Sequence, residues 1–413
     1  MMKMNELQKQ LPEMLTGEEL RNRIQVLPEY NDNFQDMSAT ERLTLLNELY
    51  NIYVPSAMSN EIYTKLYLAT LRSLGKKNTI ETTQQYYQNY RAIKQQEHHG
   101  IIGGSDSFTI IGGAGIGKSS AIFRAITLIS QGIIEIEKPY VKIVPCIVVQ
   151  CPFDSSVKSL LLEILRKIDE AIESNYHEKA VKARATTDML IGSVSQTCLN
   201  HVGLLIIDEI QNVANSKNGK NLIGSLTQLI NNSGISICMV GTPDCKPFLE
   251  QTAYLARRSL GLEYGSMKYD KHFIDFCTTI WSYQYVQKKS ELTPVILEWL
   301  YEHSGGNTSI IVALIHDSQE IAILNGSETL NIENLNKAYQ QRLSMLHDYI
   351  QPSIVHNSQT TKVKKSKPSK ELAKTAPQKS DFKITDLASK AKSEGLDFLS
   401  LLRENLIVEE ITI

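Results

Sequence analysis

A glycine-rich segment that follows an apolar run constrains the fold of this chain more than any other feature. The segment matches GxxxxGK[ST], and its residues are Gly112, Gly113, Ala114, Gly115, Ile116, Gly117, Lys118 and Ser119. An apolar run precedes it and a helix-compatible run follows, which is the strand–loop–helix context of a phosphate-binding loop. Glycine lets the backbone approach phosphate oxygens that a Cβ would obstruct. The N–H groups at the helix start add a positive site for an anion.

This loop and a later acidic pair predict a site for ATP and Mg²⁺. Lys118 is expected to neutralise the β- and γ-phosphates, the Ser119 hydroxyl to ligate Mg²⁺, and Ser120 to complete the nucleotide-binding set. A second apolar run ends in Asp208 and Glu209. We expect Asp208 to hold Mg²⁺ through water and Glu209 to polarise the attacking water, because hydrolysis needs a base beside the γ-phosphate. An acidic pair facing solvent at a strand end is the alternative.

Three further polar residues are candidates for the same site. Thr242 follows the next apolar run and is the candidate sensor of the γ-phosphate, the alternative being a plain strand-end turn. Arg257 and Arg258 are candidates for an arginine that completes the site of a neighbouring subunit and stabilises charge at the γ-phosphate. A solvated basic turn is the alternative, and the sequence does not choose between the two arginines.

Apolar runs and helix-compatible stretches alternate from position 108 onward. The apolar runs cover 108–111, 143–149, 204–207 and 235–240, and the helical stretches cover 121–129, 157–172 and 222–230. Runs without polar alternation suit strands buried on both faces of a parallel sheet. Helices between such strands fit crossover connections. The predicted fold class is therefore α/β with a parallel sheet.

The pattern along the chain predicts four regions. They are a helical N-terminal region (1–105), an α/β nucleotide-binding core (106–284), a helical lid (285–350) and a basic linker with a terminal amphipathic helix (351–413). In the first region, Ser38 and Glu41 form a predicted capping box. A break at Pro55 precedes a second helix that runs toward Gly75.

Composition excludes several classes of protein. A net charge of −2 means that any DNA contact must come from a local patch. No apolar run approaches the ~20 residues that span a bilayer, and the first residues lack a signal peptide's apolar core. We therefore expect a cytoplasmic protein without membrane contact. None of the six cysteines forms a CxxC pair, so buried reduced thiols are expected.

The C-terminal segment differs in composition from the rest. Residues 362–392 hold ten lysines against three acidic residues, a net charge of +7 (10 − 3). We interpret this stretch as a disordered basic linker, followed by an amphipathic helix that could dock on a partner. The alternative is that the terminal helix packs on its own domain.

Three segments carry a resemblance to a known family. They are 151–160 (CPFDSSVKSL), 182–186 (KARAT) and 203–212 (GLLIIDEIQN). Together they resemble the TnsC/TniB family of AAA+ ATPases, which regulate transposition, and the likeness extends over roughly residues 40–345. The resemblance implies an AAA+ P-loop sheet with a helical lid. It also implies an oligomer, a ring or a helical filament, on double-stranded DNA.

The same resemblance implies partners and DNA-binding residues. Such proteins link a target-selection protein, sometimes a CRISPR effector complex, to transposase subunits, and ATP favours assembly while hydrolysis favours release. By this analogy, the DNA-binding candidates are Lys158, Lys182, Arg184 and Thr186. An exposed basic helix face is the alternative for each.

The sequence departs from the usual AAA+ pattern at one point, and two other functions compete with the one that the resemblance implies. Many AAA+ proteins carry a second sensor arginine at the start of a lid helix, but here no arginine occurs between Arg258 and Arg342. Catalysis is therefore expected to depend on the arginine of a neighbouring subunit and to be slow. The competing functions are an origin-recognition or helicase-loading ATPase, and a signalling NTPase that does not hydrolyse.

Overall fold

A six-stranded sheet forms the centre of the described part of the chain. The structure is a computed structural model that describes residues 6–30, 34, 36–77, 107–137, 140–154, 156–215, 219–250, 261–344 and 346. Its strands are β1 (Phe108–Gly112), β2 (Ile134–Glu137), β3 (Tyr140–Gln150), β4 (Val202–Asp208), β5 (Ser236–Gly241) and β6 (Leu262–Tyr264). Their order in the sheet is β2-β3-β4-β5-β1-β6. The β2–β3 pair is antiparallel and the other pairs are parallel.

Some of the described α-helices pack on this sheet, and others form a separate core. They are α1 (Glu6–Lys9), α2 (Gly17–Ile24), α3 (Ala39–Leu45), α4 (Ala57–Lys76), α5 (Lys118–Ile129), α6 (Val157–Ile172), α7 (Tyr176–Lys182), α8 (Thr187–His201), α9 (Gly219–Ser233), α10 (Lys246–Glu250), α11 (Lys271–Ser282), α12 (Pro294–Ser304), α13 (Thr308–Leu324) and α14 (Ile332–Arg342). Short 3-10 helices cover Leu46–Asn51, Ile210–Asn215 and Pro243–Cys245.

The strands are buried on both faces, as their unbroken apolar runs predict. Along β4, Leu205 and Ile207 pack with the helices α6, α8 and α9. The intervening Leu204 and Ile206 pack with α4 and α5 on the opposite face. All four side chains are fully buried. The prediction of a parallel α/β sheet is confirmed, whereas the short strands β2 and β6 were not predicted.

The N-terminal helices contribute to two separate cores. Helix α4 packs on the sheet, through Ile62 and Leu66, in the same cluster as α5. In contrast, Phe34, Leu46 and Leu49 pack with the helices α11 to α14. We call these four helices the lid; α11 lies ahead of the predicted lid bound of 285. The predicted capping box of Ser38 is present at the start of α3. The helix predicted to run toward Gly75 is also present, as α4.

Two expectations from composition can be compared with the structure. All six cysteines are free and buried, which confirms the expectation of buried thiols. Among the described residues, none of the helices has the length and apolarity needed to cross a membrane. The basic linker and terminal helix, residues 351–413, lie outside the described residues and stay predictions.

Candidate phosphate and metal site

Three adjacent strands bring the predicted site residues to one edge of the sheet. Because β4, β5 and β1 are neighbours and parallel, their carboxyl ends meet there. The glycine-rich loop leaves β1 at this edge and ends at Gly117, which caps α5 with a left-handed φ of 92°. Gly115 is also left-handed, with φ 77°, a conformation that glycine adopts without a steric cost.

The Lys118 side chain is folded into this loop and is largely buried. Its Nζ donates hydrogen bonds to the carbonyl oxygens of Gly112 at 2.7 Å and Gly113 at 2.8 Å. Burial lowers the pKa of Lys118, and the carboxylates of Asp208 and Glu209 act in the opposite direction. The ammonium group can exchange these carbonyls for the oxygens of a phosphate held by the loop.

Ser119 and Asp208 lie next to each other, as the metal prediction requires. The Ser119 hydroxyl donates to Asp208 Oδ2 at 3.4 Å. The other oxygen, Asp208 Oδ1, accepts a hydrogen bond from the backbone N–H of Glu209 at 2.8 Å. A hydroxyl and a carboxylate beside a phosphate-binding loop are the hard oxygen ligands that Mg²⁺ prefers, so these two residues fit that ion.

Glu209 is held by a residue that the sequence analysis did not assign to the site. The carboxamide of Gln211 donates to Glu209 Oε2, and its oxygen accepts from the backbone N–H of Thr242 at 3.2 Å. Gln211 therefore joins the acidic residue after β4 to the first residue after β5. Glu209 itself has a left-handed φ of 59°, which places it among the few non-glycine residues held in this region.

Thr242, the predicted sensor, directly follows β5, and its hydroxyl has a local partner. The hydroxyl donates to Asp244 Oδ2 at 3.1 Å. The link from Thr242 to Glu209 runs instead through the backbone N–H of Thr242 and the side chain of Gln211. The other two catalytic candidates, Arg257 and Arg258, lie outside the described residues.

The lid touches the phosphate-binding loop through residues that sequence reasoning also missed. Asn307 Nδ2 donates to the carbonyl of Ala114 at 2.8 Å. The Thr308 hydroxyl and the Ser309 N–H both donate to the carbonyl of Gly115, at 2.7 Å and 3.0 Å. The available signal was the pair of turn glycines at 305 and 306 followed by Asn307, a typical N-cap residue.

A cavity of about 520 Å³ opens beside the loop. Its walls come from the N-terminal segment, the glycine-rich loop, the segment after β6 and the lid; they include Tyr53, Val54, Lys118, Tyr264, Met267 and Thr308. The volume suits a small organic ligand. Because the phosphate-binding loop forms one wall, the cavity can hold the remainder of a phosphorylated ligand.

The DNA-binding candidates lie in the part of the chain between β3 and β4. Lys182 is exposed at the end of α7, and Arg184 and Thr186 are exposed in the turn between α7 and α8. Lys182 pairs with Glu178, and the Thr186 hydroxyl caps α8 by accepting from the Met189 N–H at 3.4 Å. Lys158 is exposed on the first turn of α6.

Comparison with known proteins supports the assignment of the fold. Residues 101–249 match the model of a family described as an AAA domain. Among curated proteins, no sequence matches the chain significantly.

Several solved structures are similar in part. The Aeropyrum pernix ORC1 protein in complex with DNA is 15% identical with a TM-score of 0.41, and the match covers 63% of this chain and 64% of that chain. Domain III of the Thermotoga maritima replication initiation protein DnaA is 14% identical with a TM-score of 0.39, and the match covers 79% of this chain and 100% of that chain. Drosophila ORC bound to DNA is 9% identical with a TM-score of 0.37, and the match covers 90% of this chain and 88% of that chain. The family match, the strand order and the loop together show an AAA+ P-loop fold.

Proposed function

We propose that this chain is a Mg²⁺-dependent ATPase that assembles on duplex DNA and regulates transposition. The observation that carries the ATPase part is the meeting of Lys118, Ser119, Asp208 and Glu209 at one edge of the sheet. These four side chains supply a cation for phosphate, two metal ligands and a base, which are the groups that phosphoryl transfer to water needs.

Each residue has a separate task in the proposed reaction. When bound, Mg²⁺ neutralises charge on the β- and γ-phosphates, and Ser119 and Asp208 are the residues that would hold it. Lys118 moves from its loop carbonyls to the phosphate oxygens. Glu209 orients a water molecule and takes its proton as the water oxygen bonds to the γ-phosphorus. The bridging oxygen leaves with ADP, and phosphate is released.

A second subunit is proposed to complete this site. No arginine occurs between Arg258 and Arg342, so the arginine for the charge developing at the γ-phosphate is proposed to come from elsewhere. Arg257 or Arg258 of a neighbouring copy is the candidate. Hydrolysis should then be slow for the isolated chain and faster in an assembly.

The DNA and transposition parts of the proposal rest on the resemblance to the TnsC/TniB family. In this interpretation, ATP favours an oligomer on duplex DNA that links a target-selection protein to transposase subunits. The exposed end of α7, with Lys182, and the turn after it, with Arg184 and Thr186, would contact DNA phosphates. The C-terminal segment would dock on the transposase.

One experiment tests the ATPase and the assembly together. Wild type and Glu209→Gln are mixed with Mg-ATP and duplex DNA, phosphate release is measured, and the samples are imaged by electron microscopy. Loss of the base should slow hydrolysis by about 10²-fold or more, while ATP-dependent oligomers on DNA persist longer. Glu333→Gln, an exposed lid residue paired with Lys337, is the matched control.

Two results would contradict the proposal in different ways. Undiminished ATP hydrolysis by Glu209→Gln would rule out the catalytic role of Glu209. Normal hydrolysis by wild type without oligomers on DNA would refute the DNA-bound assembly and favour a different class of AAA+ ATPase.

A further inference from the structure

The lid contacts two carbonyl groups of the phosphate-binding loop with three hydrogen-bond donors. Asn307 holds the Ala114 carbonyl, and Thr308 with Ser309 holds the Gly115 carbonyl. The distances lie between 2.7 and 3.0 Å, which is the ordinary range of good hydrogen bonds. The two side-chain bonds join residues that are 193 positions apart in the chain.

Holding a carbonyl group also orients the N–H group of the next residue. A trans peptide unit is planar, so its C=O and N–H point in opposite directions. The Ala114 carbonyl shares a unit with the Gly115 N–H, and the Gly115 carbonyl shares one with the Ile116 N–H. With both carbonyls turned toward the lid, these N–H groups point away from it. Backbone N–H groups of such a loop are the donors that bind phosphate oxygens.

We propose that Asn307 and Thr308 are positioning residues that orient the phosphate-binding N–H groups of Gly115 and Ile116. Lid position and binding of a nucleoside polyphosphate are thereby coupled, and the coupling acts in both directions. This inference rests on the proposed function in one respect, which is that the bound ligand is a nucleotide.

The contacts at Asn307 exceed what a helix cap requires. Asn307 Oδ1 accepts from the N–H groups of Ser309 at 3.1 Å and Ile310 at 3.4 Å, which caps α13. The Nδ2 group is not needed for this cap, yet it reaches the loop. Capping and loop contact are thus made by different atoms of one side chain and can be separated by substitution.

The absence of a side chain at Gly115 matters for the contact with the lid as well as for the conformation of the loop. Besides its left-handed φ of 77°, a Cβ at this position would lie 2.2 Å from Ser309 Oγ and 2.8 Å from Asn307 Oδ1. The segment before α13 is held in turn by the segment after β6, since the Met267 N–H donates to the Gly306 carbonyl at 2.9 Å. The loop and the lid therefore meet as closely packed partners.

Substitutions at Asn307 and Thr308 test the positioning role. Asn307→Ser keeps a capping oxygen without the loop-binding amide, and Thr308→Val removes the donor with little change in shape. Dissociation constants for ADP and adenosine are measured by calorimetry for wild type, both single variants and the double variant. Loss of two hydrogen bonds should weaken ADP binding by about tenfold or more, and adenosine binding should stay unchanged. Thr308→Ser should restore wild-type affinity.

A cap substitution on another lid helix is the matched control. Asn331→Ser alters the N-cap of α14 and should leave ADP binding unchanged. Hydrogen exchange gives a second readout, because ADP should protect the first turn of α13 in wild type and not in the double variant. Equal ADP affinity in wild type and both single variants, or an equal loss for ADP and adenosine, would overturn the positioning role alone. Absence of ADP binding by wild type would overturn the proposed nucleotide function as well.

Discussion

The buried ion pair between Arg42 and Glu328 joins the N-terminal region to the lid. Arg42 donates from Nη1 and Nη2 to the two carboxylate oxygens, both at 2.7 Å, and from Nη1 to the Tyr285 carbonyl at 2.9 Å. The Arg42 side chain is 2% exposed and that of Glu328 is 15% exposed. We therefore expect Glu328→Gln to destabilise the lid, because it leaves a buried guanidinium without a counter-charge.

The burial of the pair sets the expected size of this effect. Removing one partner of a buried ion pair costs about 3–5 kcal/mol, and we expect about 3 kcal/mol here because Glu328 retains some contact with water. The exposed pair of Glu333 and Lys337, with side chains 74% and 40% exposed, is the control. Glu333→Gln should change the free energy of unfolding by less than about 0.5 kcal/mol.

Intrinsic fluorescence can follow the unfolding of the lid directly. The chain has two tryptophans, Trp281 in α11 and Trp299 in α12, and both pack with the lid core. Urea unfolding monitored by this fluorescence should give a clearly lower midpoint for Glu328→Gln than for Glu333→Gln. Indistinguishable midpoints for the two variants would refute the reasoning.

The same pair predicts how the effect depends on pH. The hydrogen bond from Arg42 is the main cause that lowers the pKa of Glu328. A carboxyl with a lowered folded-state pKa contributes stability above its unfolded pKa of about 4.3, and loses it as the pH falls through the folded value. The difference between wild type and Glu328→Gln should stay constant at neutral pH and shrink below about pH 4.

Two other predictions concern the proposed activity and DNA binding. In steady-state assays, Gln211→Ala should lower kcat of ATP hydrolysis about tenfold with KM unchanged, because the lost contact with Glu209 is about one hydrogen bond to a charged group. A change confined to KM would contradict this role. Changing Lys182 and Arg184 together to Ala should weaken duplex binding and reduce the slope of log affinity against log salt concentration by about two, with Lys337→Ala as the control. An unaltered slope in titrations at several salt concentrations would disprove the DNA assignment.

The sheet was predictable from sequence because its strands are buried on both faces. Unbroken apolar runs such as 204–207 mark strands without any knowledge of their neighbours. The strand β6, in contrast, has only three residues and partly exposed side chains, so it lacks such a run. Its position is set by pairing with β1, which is a contact that the local sequence does not encode.

The phosphate loop and acidic pair were predictable for a related reason. Each motif directly follows a strand, so the motif and its strand are recognised in one continuous stretch of sequence, such as 108–119. The lid contacts were not predictable, because Asn307 meets Ala114 only after the chain between them has folded. An asparagine is a typical N-cap residue, and Asn307 does cap α13. The hydrogen bond from its amide group to the Ala114 carbonyl, in contrast, depends on the tertiary arrangement.

Gln211 shows the same limit within the site itself. Its sequence position, two residues after Glu209, places it near the acidic pair, but its partners depend on which strand lies beside β4. Because β5 is that neighbour, the carboxamide can reach both Glu209 and the Thr242 N–H. The Thr242 hydroxyl, which residue type alone favoured as the sensing group, instead bonds to Asp244. A change at the end of β5 would therefore reach Glu209 through the backbone of Thr242 and the side chain of Gln211.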